Sequence, residues 1–348
     1  MGRKQRRAHK RDTLALVESP AQALNVIEWA HHRAAMRRTR LAVLPPRDPS
    51  TRLQLETVVD LARDAGMAAT WYEPRRSKAA LVAAAWELFP RLAKADRLVV
   101  GDPFSGFVQA VLPLADVAEV VVVDDGTATI SFVEQLISGG GLTRWHLAGG
   151  GRDVLVRVLS EHARAFFTPS ERDGRSVEVF TAMPVRVPAG TRQSANTFAW
   201  TRERFGPPAV TDAVDLIGTS LVESGVVDPE HYLAGVHAAT RTFGAGRYFA
   251  HRRESEAKLA AIAGLTGLAV VRPEVPLEIV VRRGPVGRLL VSYPSTVTHT
   301  LPLVLADSPV RLAVADVPSA WLRPGAPAGA GDFLDRVNTT ARERHRLT

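Results

Sequence analysis

Two adjacent carboxylates, Asp124 and Asp125, follow directly after the apolar run 120–123 and precede Gly126. A carboxylate at the end of a buried strand can accept a proton from a substrate hydroxyl, and a second carboxylate beside it can raise its proton affinity. Aspartate and glycine also favour tight turns and helix caps, so an acidic turn without chemistry is the competing interpretation. The stretch by itself leaves both interpretations open.

A pair of hydroxyls, Ser295 and Thr296, stands between an apolar run and a helix-like segment in the second half of the chain. Hydroxyls and the backbone N–H groups of a helix N-terminus together suit a phosphate group. The more common use of such a pair is an ordinary helix cap. The pair therefore predicts either a phosphate-binding site or a helix cap.

Three shorter stretches add polar groups next to predicted strands. His251 follows the strand-like GRYFA, although a single histidine is more often structural than catalytic. Gly218, Thr219 and Ser220 follow VDLI, where a glycine would allow a nucleotide to approach the backbone closely. Glu278 lies in VPLEIV and offers a further carboxylate. Each of these signals is weak by itself.

The polar groups fall within a strand–helix alternation that occurs in both halves of the chain. Apolar strands such as TLALV (13–17) alternate with helices predicted after Ser19, over 53–65 and over 77–92. Continuous apolar strands that alternate with helices predict a parallel sheet covered on both faces. Ligands of such sheets bind beyond the carboxyl ends of the strands, which is where the two aspartates stand.

The spacing of the elements predicts two domains in a chain of 348 residues. We expect a basic tail over 1–12, an N-terminal Rossmann-like domain over 13–183 and a proline- and glycine-rich connection over 184–212. A second Rossmann-like domain is expected over 213–330. A final helix within 331–348 is expected to pack back on the N-terminal domain.

The composition excludes several classes of protein. Apolar residues make up 46% of the chain and charged residues 23%, as in a globular protein. There is no cysteine, so disulfides, a thiol nucleophile and thiolate metal sites are excluded. The sequence has no apolar stretch of transmembrane length and no secretory signal pattern, and we therefore expect a cytoplasmic protein.

The net charge of +8 is concentrated in the first residues, since six basic side chains between Arg3 and Arg11 leave only +2 for the rest. A nucleic-acid binder is disfavoured because aromatic and basic residues do not interleave. A short basic tail is usually a solvated arm. The alternative is peripheral contact of residues 3–11 with anionic lipid at the inner face of the membrane.

In chain order the motifs resemble those of bacterial sialyltransferases and polysialyltransferases, which are glycosyltransferases of GT-B fold. LVESPAQALNVIEW, GDPFSG, VVVDDGTAT, His251, Glu278 and the pair Ser295–Thr296 occur in the order that the family has. Arg252 stands where the family's histidine is usually followed by proline. The resemblance extends over Thr13–Leu305 and implies an α/β fold with two Rossmann-like domains, whose parallel sheets face a central cleft.

The resemblance implies an inverting transfer of sialic acid, or a related nonulosonate, from a CMP-sugar to a glycan acceptor without a metal or other cofactor. Asp125 would be the base, and Asp124 would support it or exchange roles with it. His251 would give a proton or hydrogen bond to the departing phosphate, and an imidazolium there would lose its proton near pH 6.5 or above. The donor-binding residues implied are Gly126, Gly218, Thr219, Ser220, Glu278, Ser295 and Thr296.

Two other functions remain open at the level of sequence. The strand–helix alternation fits glycosyltransferases that use another nucleotide sugar. It also fits a catalytically inactive protein of the same fold that binds a nucleotide or a glycan.

Overall fold

All the paired strands of the computed structural model are parallel, and they form one sheet in each of two units. Unit 1 is Met1–Asn196 and unit 2 is Thr197–Thr348. The structure describes residues 12–143, 154–170, 174–327 and 329–347. The lipid contact predicted for residues 3–11 therefore lies outside the described residues.

Unit 1 contains a seven-stranded sheet in the order β3-β2-β1-β4-β5-β6-β7. Its strands are β1 (Thr13–Val17), β2 (Thr39–Val43), β3 (Ala68–Trp71), β4 (Arg97–Val100), β5 (Glu119–Val123), β6 (Ser176–Thr181) and β7 (Arg192–Ala195). Its helices are α1 (Pro20–His32), α2 (Pro49–Asp64), α3 (Lys78–Lys94), α4 (Gly106–Val111), α5 (Ala128–Ser138) and α6 (Val154–Phe166).

Unit 2 contains a five-stranded sheet in the order β10-β9-β8-β11-β12. Its strands are β8 (Val210–Ile217), β9 (Arg247–Phe249), β10 (Ala269–Val271), β11 (Val286–Ser292) and β12 (Arg311–Val314). Its helices are α7 (Ala199–Phe205), α8 (Pro229–Phe243), α9 (Glu256–Thr266), α10 (Leu277–Arg283), α11 (Val297–Val304) and α12 (Ala330–His345).

The central strands of unit 1 are buried on both faces. Every residue of β1, β4 and β5 is buried, including all four valines that precede the acidic pair. Side chains of a parallel sheet covered by helices leave no water-exposed face, so an unbroken apolar strand is what this architecture requires. The predicted parallel α/β fold is confirmed in both units.

The connection predicted over 184–212 instead contains regular structure. β7 extends the sheet of unit 1, α7 follows it, and β8 begins at Val210. β7 has the sequence RQSA and largely exposed side chains at the edge of the sheet, so no apolar alternation marked it as a strand. The two units divide at Asn196, inside the predicted connection.

The C-terminal helix α12 has contacts within unit 2, whereas we expected it to pack on the N-terminal domain. Leu334 joins the apolar core of unit 2. The Asn338 side-chain amide donates to the backbone carbonyl of Ala315 at 3.2 Å, and Arg342 pairs with Asp316 at 2.9 Å. Both partners follow directly after β12, so these contacts fix the helix next to that strand.

A buried carboxylate, Asp215, joins three strands of unit 2. It accepts two hydrogen bonds from the Arg247 guanidinium, at 2.8 and 2.7 Å, and one from the Gly287 N–H at 2.7 Å. We expect Asp215→Ala to lower the free energy of unfolding by about 3 kcal/mol, because it leaves the buried Gly287 N–H without an acceptor and the partly exposed Arg247 without its ion-pair partner. Urea unfolding followed by circular dichroism measures this change.

Asp212 lies on the same strand with its side chain exposed, so Asp212→Ala is the matched control. We expect the control to change the unfolding free energy by less than about 0.5 kcal/mol. Equal effects of the two substitutions would show that the Asp215 ion pair does not hold the sheet together.

Candidate functional site

The polar groups of unit 1 collect where the order of its strands reverses. β1 and β4 are neighbours in the sheet although their crossovers run in opposite directions, and β5 lies next to β4. Glu18 follows the end of β1, Ser105 lies a few residues beyond β4, and Asp124 follows β5. Ligands of open α/β sheets bind at such a reversal, beyond the carboxyl ends of the strands.

Asp124 is a buried carboxylate with a hydrogen-bond donor on each of its two oxygens. It is 2% exposed, and it accepts hydrogen bonds from the Thr181 hydroxyl and, at 2.6 Å, from the Ala182 N–H. Burial raises the pKa of Asp124 to about 6, although hydrogen bonds from Thr181, Ala182 and Thr129 act to lower it. Asp124 therefore joins the end of β5 to the end of β6, and its burial keeps its carboxylate away from solvent.

Asp125 is partly exposed, in contrast to its neighbour. Its backbone N–H donates to the Thr129 hydroxyl at 3.2 Å, which fixes the turn into α5. Gly126 completes that turn with φ of +66°, a conformation that favours glycine. The turn interpretation thus explains Gly126 and Asp124, whereas the Asp125 carboxylate is the one of the pair that a substrate can reach.

Glu18 is a carboxylate near Asp125 that the sequence interpretation did not assign. It is 9% exposed, accepts from the Ser105 hydroxyl at 2.6 Å and pairs with Arg75 at 2.6 Å. Burial raises the pKa of Glu18, Arg75 and Ser105 oppose the rise, and the charge of Asp125 adds to it. Only its position inside the LVESPAQ stretch could have drawn attention to it.

In unit 2 the predicted residues follow three adjacent strands. Ile217 at the end of β8 is in register with Phe249 of β9 on one side and with Ser292 of β11 on the other. The stretch Gly218–Ser220, His251 and the pair Ser295–Thr296 therefore leave the sheet side by side. The order of the strands reverses between β8 and β11, so this edge is again the expected place for a ligand.

His251 is fixed by two hydrogen bonds to the residues that follow it in the chain. Its N–H donates to Glu254 Oε2 at 2.6 Å, and its ring Nδ1 accepts from the Arg253 N–H at 3.2 Å. Burial, followed by the charges of Arg252, Arg253 and Lys258, lowers the pKa of His251 to about 3.

The ring of His251 is therefore neutral at physiological pH, with its proton on Nε2, because Nδ1 is an acceptor. Of the two roles expected for His251, a proton or a hydrogen bond to the phosphate, the lowered pKa favours the hydrogen bond in the protein without ligand. The physical reason is that three cationic neighbours and burial both disfavour a further positive charge.

Glu254 and Lys258 form a buried ion pair that the sequence interpretation did not assign. Their side chains are 0% and 7% exposed, and Lys258 Nζ lies 2.8 Å from Glu254 Oε1. Lys258 also donates to the Thr219 carbonyl at 2.9 Å, and Tyr248 donates to Glu254 at 2.7 Å. The pair thus connects the loop after β8 with the loop that carries His251.

Gly218 lies against the side chains of the ion-pair network. A Cβ atom at this position would lie 2.2 Å from Glu254 Oε2 and 2.7 Å from the Tyr248 hydroxyl. This close approach requires glycine whether or not a nucleotide also binds here. Thr219 is buried beside it and Ser220 is partly exposed.

Ser295 and Thr296 precede α11 without capping it in the usual way. Thr296 occupies the N-cap position but its side chain makes no cap hydrogen bond. The Ser295 hydroxyl lies 3.4 Å from that of Ser292. Both residues are partly exposed. The cap interpretation of the pair is thereby weakened.

Glu278 lies in the first turn of α10 and is hydrogen-bonded to α11, the helix that follows the hydroxyl pair. Its Oε1 accepts from the Thr300 hydroxyl of α11 at 2.7 Å. This hydrogen bond fixes α10 relative to α11 within unit 2. Among the described residues, no group of three or more His, Asp or Glu side chains is arranged to hold a metal ion.

The sequence matches no protein-family model and no curated protein. In structure, the chain is similar to an α/β-galactoside α-2,3-sialyltransferase from the luminous marine bacterium Photobacterium phosphoreum, with a TM-score of 0.51, 10% identity and 97% of both chains covered. It is also similar to a putative UDP-N-acetylglucosamine 2-epimerase from Listeria monocytogenes, with a TM-score of 0.50, 10% identity, and 96% of this chain and 88% of that chain covered. The likeness concerns the fold, which is the predicted GT-B fold with two Rossmann-like units.

The raised pKa of Asp124 generates a pH-dependent prediction. A carboxyl group with a higher pKa in the folded state stabilises the fold fully below its unfolded pKa, and this stability is lost as pH rises to the folded pKa. As the pH rises from about 4 to about 6, the fold therefore loses a contribution from Asp124 that totals on the order of 2–3 kcal/mol. An asparagine keeps an acceptor for the Ala182 N–H and a partner for the Thr181 hydroxyl, without the charge.

We expect the stability of Asp124→Asn, relative to wild type, to rise across that pH range and then level off. Urea unfolding of both proteins at each pH gives the difference, in which contributions from other titrating groups cancel. The exposed Asp64→Asn serves as the control. A flat difference between wild type and Asp124→Asn would contradict the raised pKa.

Proposed function

We propose that this protein is an inverting glycosyltransferase that transfers sialic acid, or a related nonulosonate, from a CMP-sugar to a glycan acceptor. The observation that carries the proposal is the edge of unit 2 where β9, β8 and β11 end side by side. There a neutral histidine, a hydroxyl pair and a helix N-terminus come from adjacent strands. These are groups that receive a phosphate.

The phosphate of the CMP leaving group is assigned to Ser295, Thr296 and the N-terminus of α11. The helix dipole and backbone N–H groups favour an anion there, and the hydroxyls add donors. His251 adds the Nε2–H of its neutral ring. These donors stabilise negative charge as it develops on the departing phosphate. They do so without a metal, and we propose a metal-independent reaction.

The acceptor hydroxyl is assigned to Asp125. A base must have a carboxylate oxygen that the substrate can reach, and the burial and hydrogen bonds of Asp124 leave Asp125 in that role. Glu18 is a second carboxylate close to Asp125 at this edge of the sheet, where it is held by Ser105 and Arg75. Asp124 supports the turn and does not exchange roles with its neighbour.

The choice of a CMP-sugar is supported by the ordered motifs and by the fold shared with the Photobacterium α-2,3-sialyltransferase. Glu278 is proposed to accept hydrogen bonds from the ribose hydroxyls. A second candidate is an enzyme that uses a UDP-sugar, favoured by the similar fold of the putative UDP-N-acetylglucosamine 2-epimerase. Preference for the nucleotide base distinguishes the two.

The first test is calorimetric titration with CMP, UMP and GMP, followed by transfer assays with CMP-sialic acid and glycan acceptors. We expect CMP to bind most tightly, and Ser295→Ala combined with Thr296→Ala to weaken its binding at least about tenfold through the loss of two phosphate donors. We expect Asp125→Asn to abolish transfer and to leave the affinity for CMP within a few-fold.

Asp124→Asn is the matched control, because it removes the neighbouring charge and retains transfer if Asp125 alone is the base. Tightest binding of UMP would favour the UDP-sugar candidate. Tight CMP binding without hydrolysis or transfer by wild type would indicate an inactive binding protein. Normal turnover by Asp125→Asn would remove the base assignment.

The neutral state of His251 gives a second prediction. We expect His251→Ala to slow transfer by roughly 10²–10³-fold, the usual effect of losing one positioned donor. His251→Gln should lose clearly less, because its amide can present an N–H close to the position of Nε2. The wild-type rate should show no loss of an imidazolium between pH about 6 and 8.

Turnover of the three proteins across this pH range and their unfolding temperatures test the role of His251. A purely structural histidine would make both variants unstable without distinguishing glutamine from alanine. A rate that falls with an apparent pKa near 6.5 in wild type, and not in His251→Gln, would restore the imidazolium.

A further inference from the structure

The helix α3 of unit 1 is apolar on a face that the protein leaves exposed. Among its seventeen residues only Ala84, Leu88 and Leu92 are buried. Their spacing of four forms one stripe, which joins the apolar core of unit 1. A single stripe of this width is enough to attach the helix to the sheet, and it leaves the opposite face in solvent.

That opposite face carries large apolar side chains. Trp86 is 71% exposed, Val82 54% and Phe89 40%. Val82, Trp86 and Phe89 are spaced by four and three residues, so they lie on one side of the helix, and the two aromatic rings contact edge to face at 6.5 Å. A contiguous exposed patch of this kind marks an interaction surface.

The charges around the patch indicate what covers it. Five basic residues and one acidic residue lie between 75 and 94. Exposed Arg76 and Lys78 stand at the beginning of the helix and exposed Lys94 at its end, with the single acid, Glu87, between them. A second copy docked on this face would bring basic helix ends together with few acids to neutralise them. An anionic surface would attract both ends at once.

The aromatic side chains favour the same occupant. A tryptophan has an apolar body and one polar N–H, and it is enriched at the boundary between lipid headgroups and acyl chains. A helix that lies in this boundary presents Trp, Phe and Leu to the acyl region and Lys or Arg to the headgroups. α3 has both features. Among the described residues no helix is long and apolar enough to cross a membrane.

We propose that the exposed face of α3 is a docking surface for an anionic lipid bilayer. Val82, Trp86 and Phe89 enter the interface between headgroups and acyl chains, while Lys78 and Lys94 contact anionic headgroups. This surface consists of described residues, none of which belongs to the basic tail, and the proposal does not depend on the activity of the protein.

The test is sedimentation of the full chain with vesicles of phosphatidylcholine that contain phosphatidylglycerol, and with vesicles of pure phosphatidylcholine. We expect binding to the anionic vesicles that weakens with salt. Trp86→Ser combined with Phe89→Ser should reduce the partition coefficient at least about tenfold, and Lys78→Glu combined with Lys94→Glu about as much. Both pairs are exposed, and circular dichroism verifies that the variants fold.

Two matched controls separate this surface from other apolar and basic groups. Leu53→Ser combined with Ile137→Ser changes exposed apolar residues on other helices, and we expect it to leave binding unchanged. Deletion of residues 1–11 measures the tail separately, and α3 should still bind without it. Blue-shifted fluorescence on binding, present in wild type and absent from Trp86→Phe, places the indole in the interface.

Equal binding of wild type and Trp86→Ser/Phe89→Ser would overturn the proposal. Failure of the wild-type protein to bind anionic vesicles would also overturn it. In that case, a dimer that the same two substitutions dissociate would identify a second copy as the occupant. A monomer that binds an acidic protein through this face would identify a protein partner.

Discussion

A carboxylate taken out of water must be given donors, and this constraint shapes both candidate edges of the fold. In sheets covered on both faces, a charged side chain at the end of a strand lies against an apolar core. Asp124 is satisfied by Thr181 and Ala182, and Glu254 by Tyr248, Lys258 and the His251 N–H. Because these buried carboxylates are hydrogen-bonded within the protein, they hold the backbone, and the roles proposed for the reaction fall to the residues beside them.

At both edges, a buried carboxylate holds the backbone next to a more exposed polar residue. In unit 1 the buried Asp124 ties β5 to β6, and the next residue is the partly exposed Asp125. In unit 2 the buried Glu254 holds the backbone of His251 and, through Lys258, the carbonyl of Thr219. When a buried neighbour holds the backbone of a residue, the position of that residue does not depend on hydrogen bonds from its own side chain alone. Pre-organised sites require such support.

Much of the fold was predictable because parallel sheets demand continuous apolar strands, and β1, β4 and β5 have them. β7 was not, since its polar edge residues carry no periodic signal. The difference between Asp124 and Asp125 was also hidden, because the decisive donor, Thr181, stands on a strand far along the chain. Glu254 and Lys258 have the i,i+4 spacing of an ordinary surface ion pair. Only their burial shows that they hold together the loops at this edge of the sheet.

Arg252, which replaces the proline typical of the resembled family, acquires a physical meaning from the state of His251. Its charge is the largest contribution to the lowered pKa of His251 after burial, ahead of Arg253 and Lys258. For the proposed reaction, the same positive charges would attract the anionic phosphate of the donor to this edge. A bound phosphate would in turn offset these charges and raise the proton affinity of the ring. Arginine at this position would therefore strengthen attraction of the donor and keep His251 neutral before the donor binds, whereas proline has no charge and would do neither.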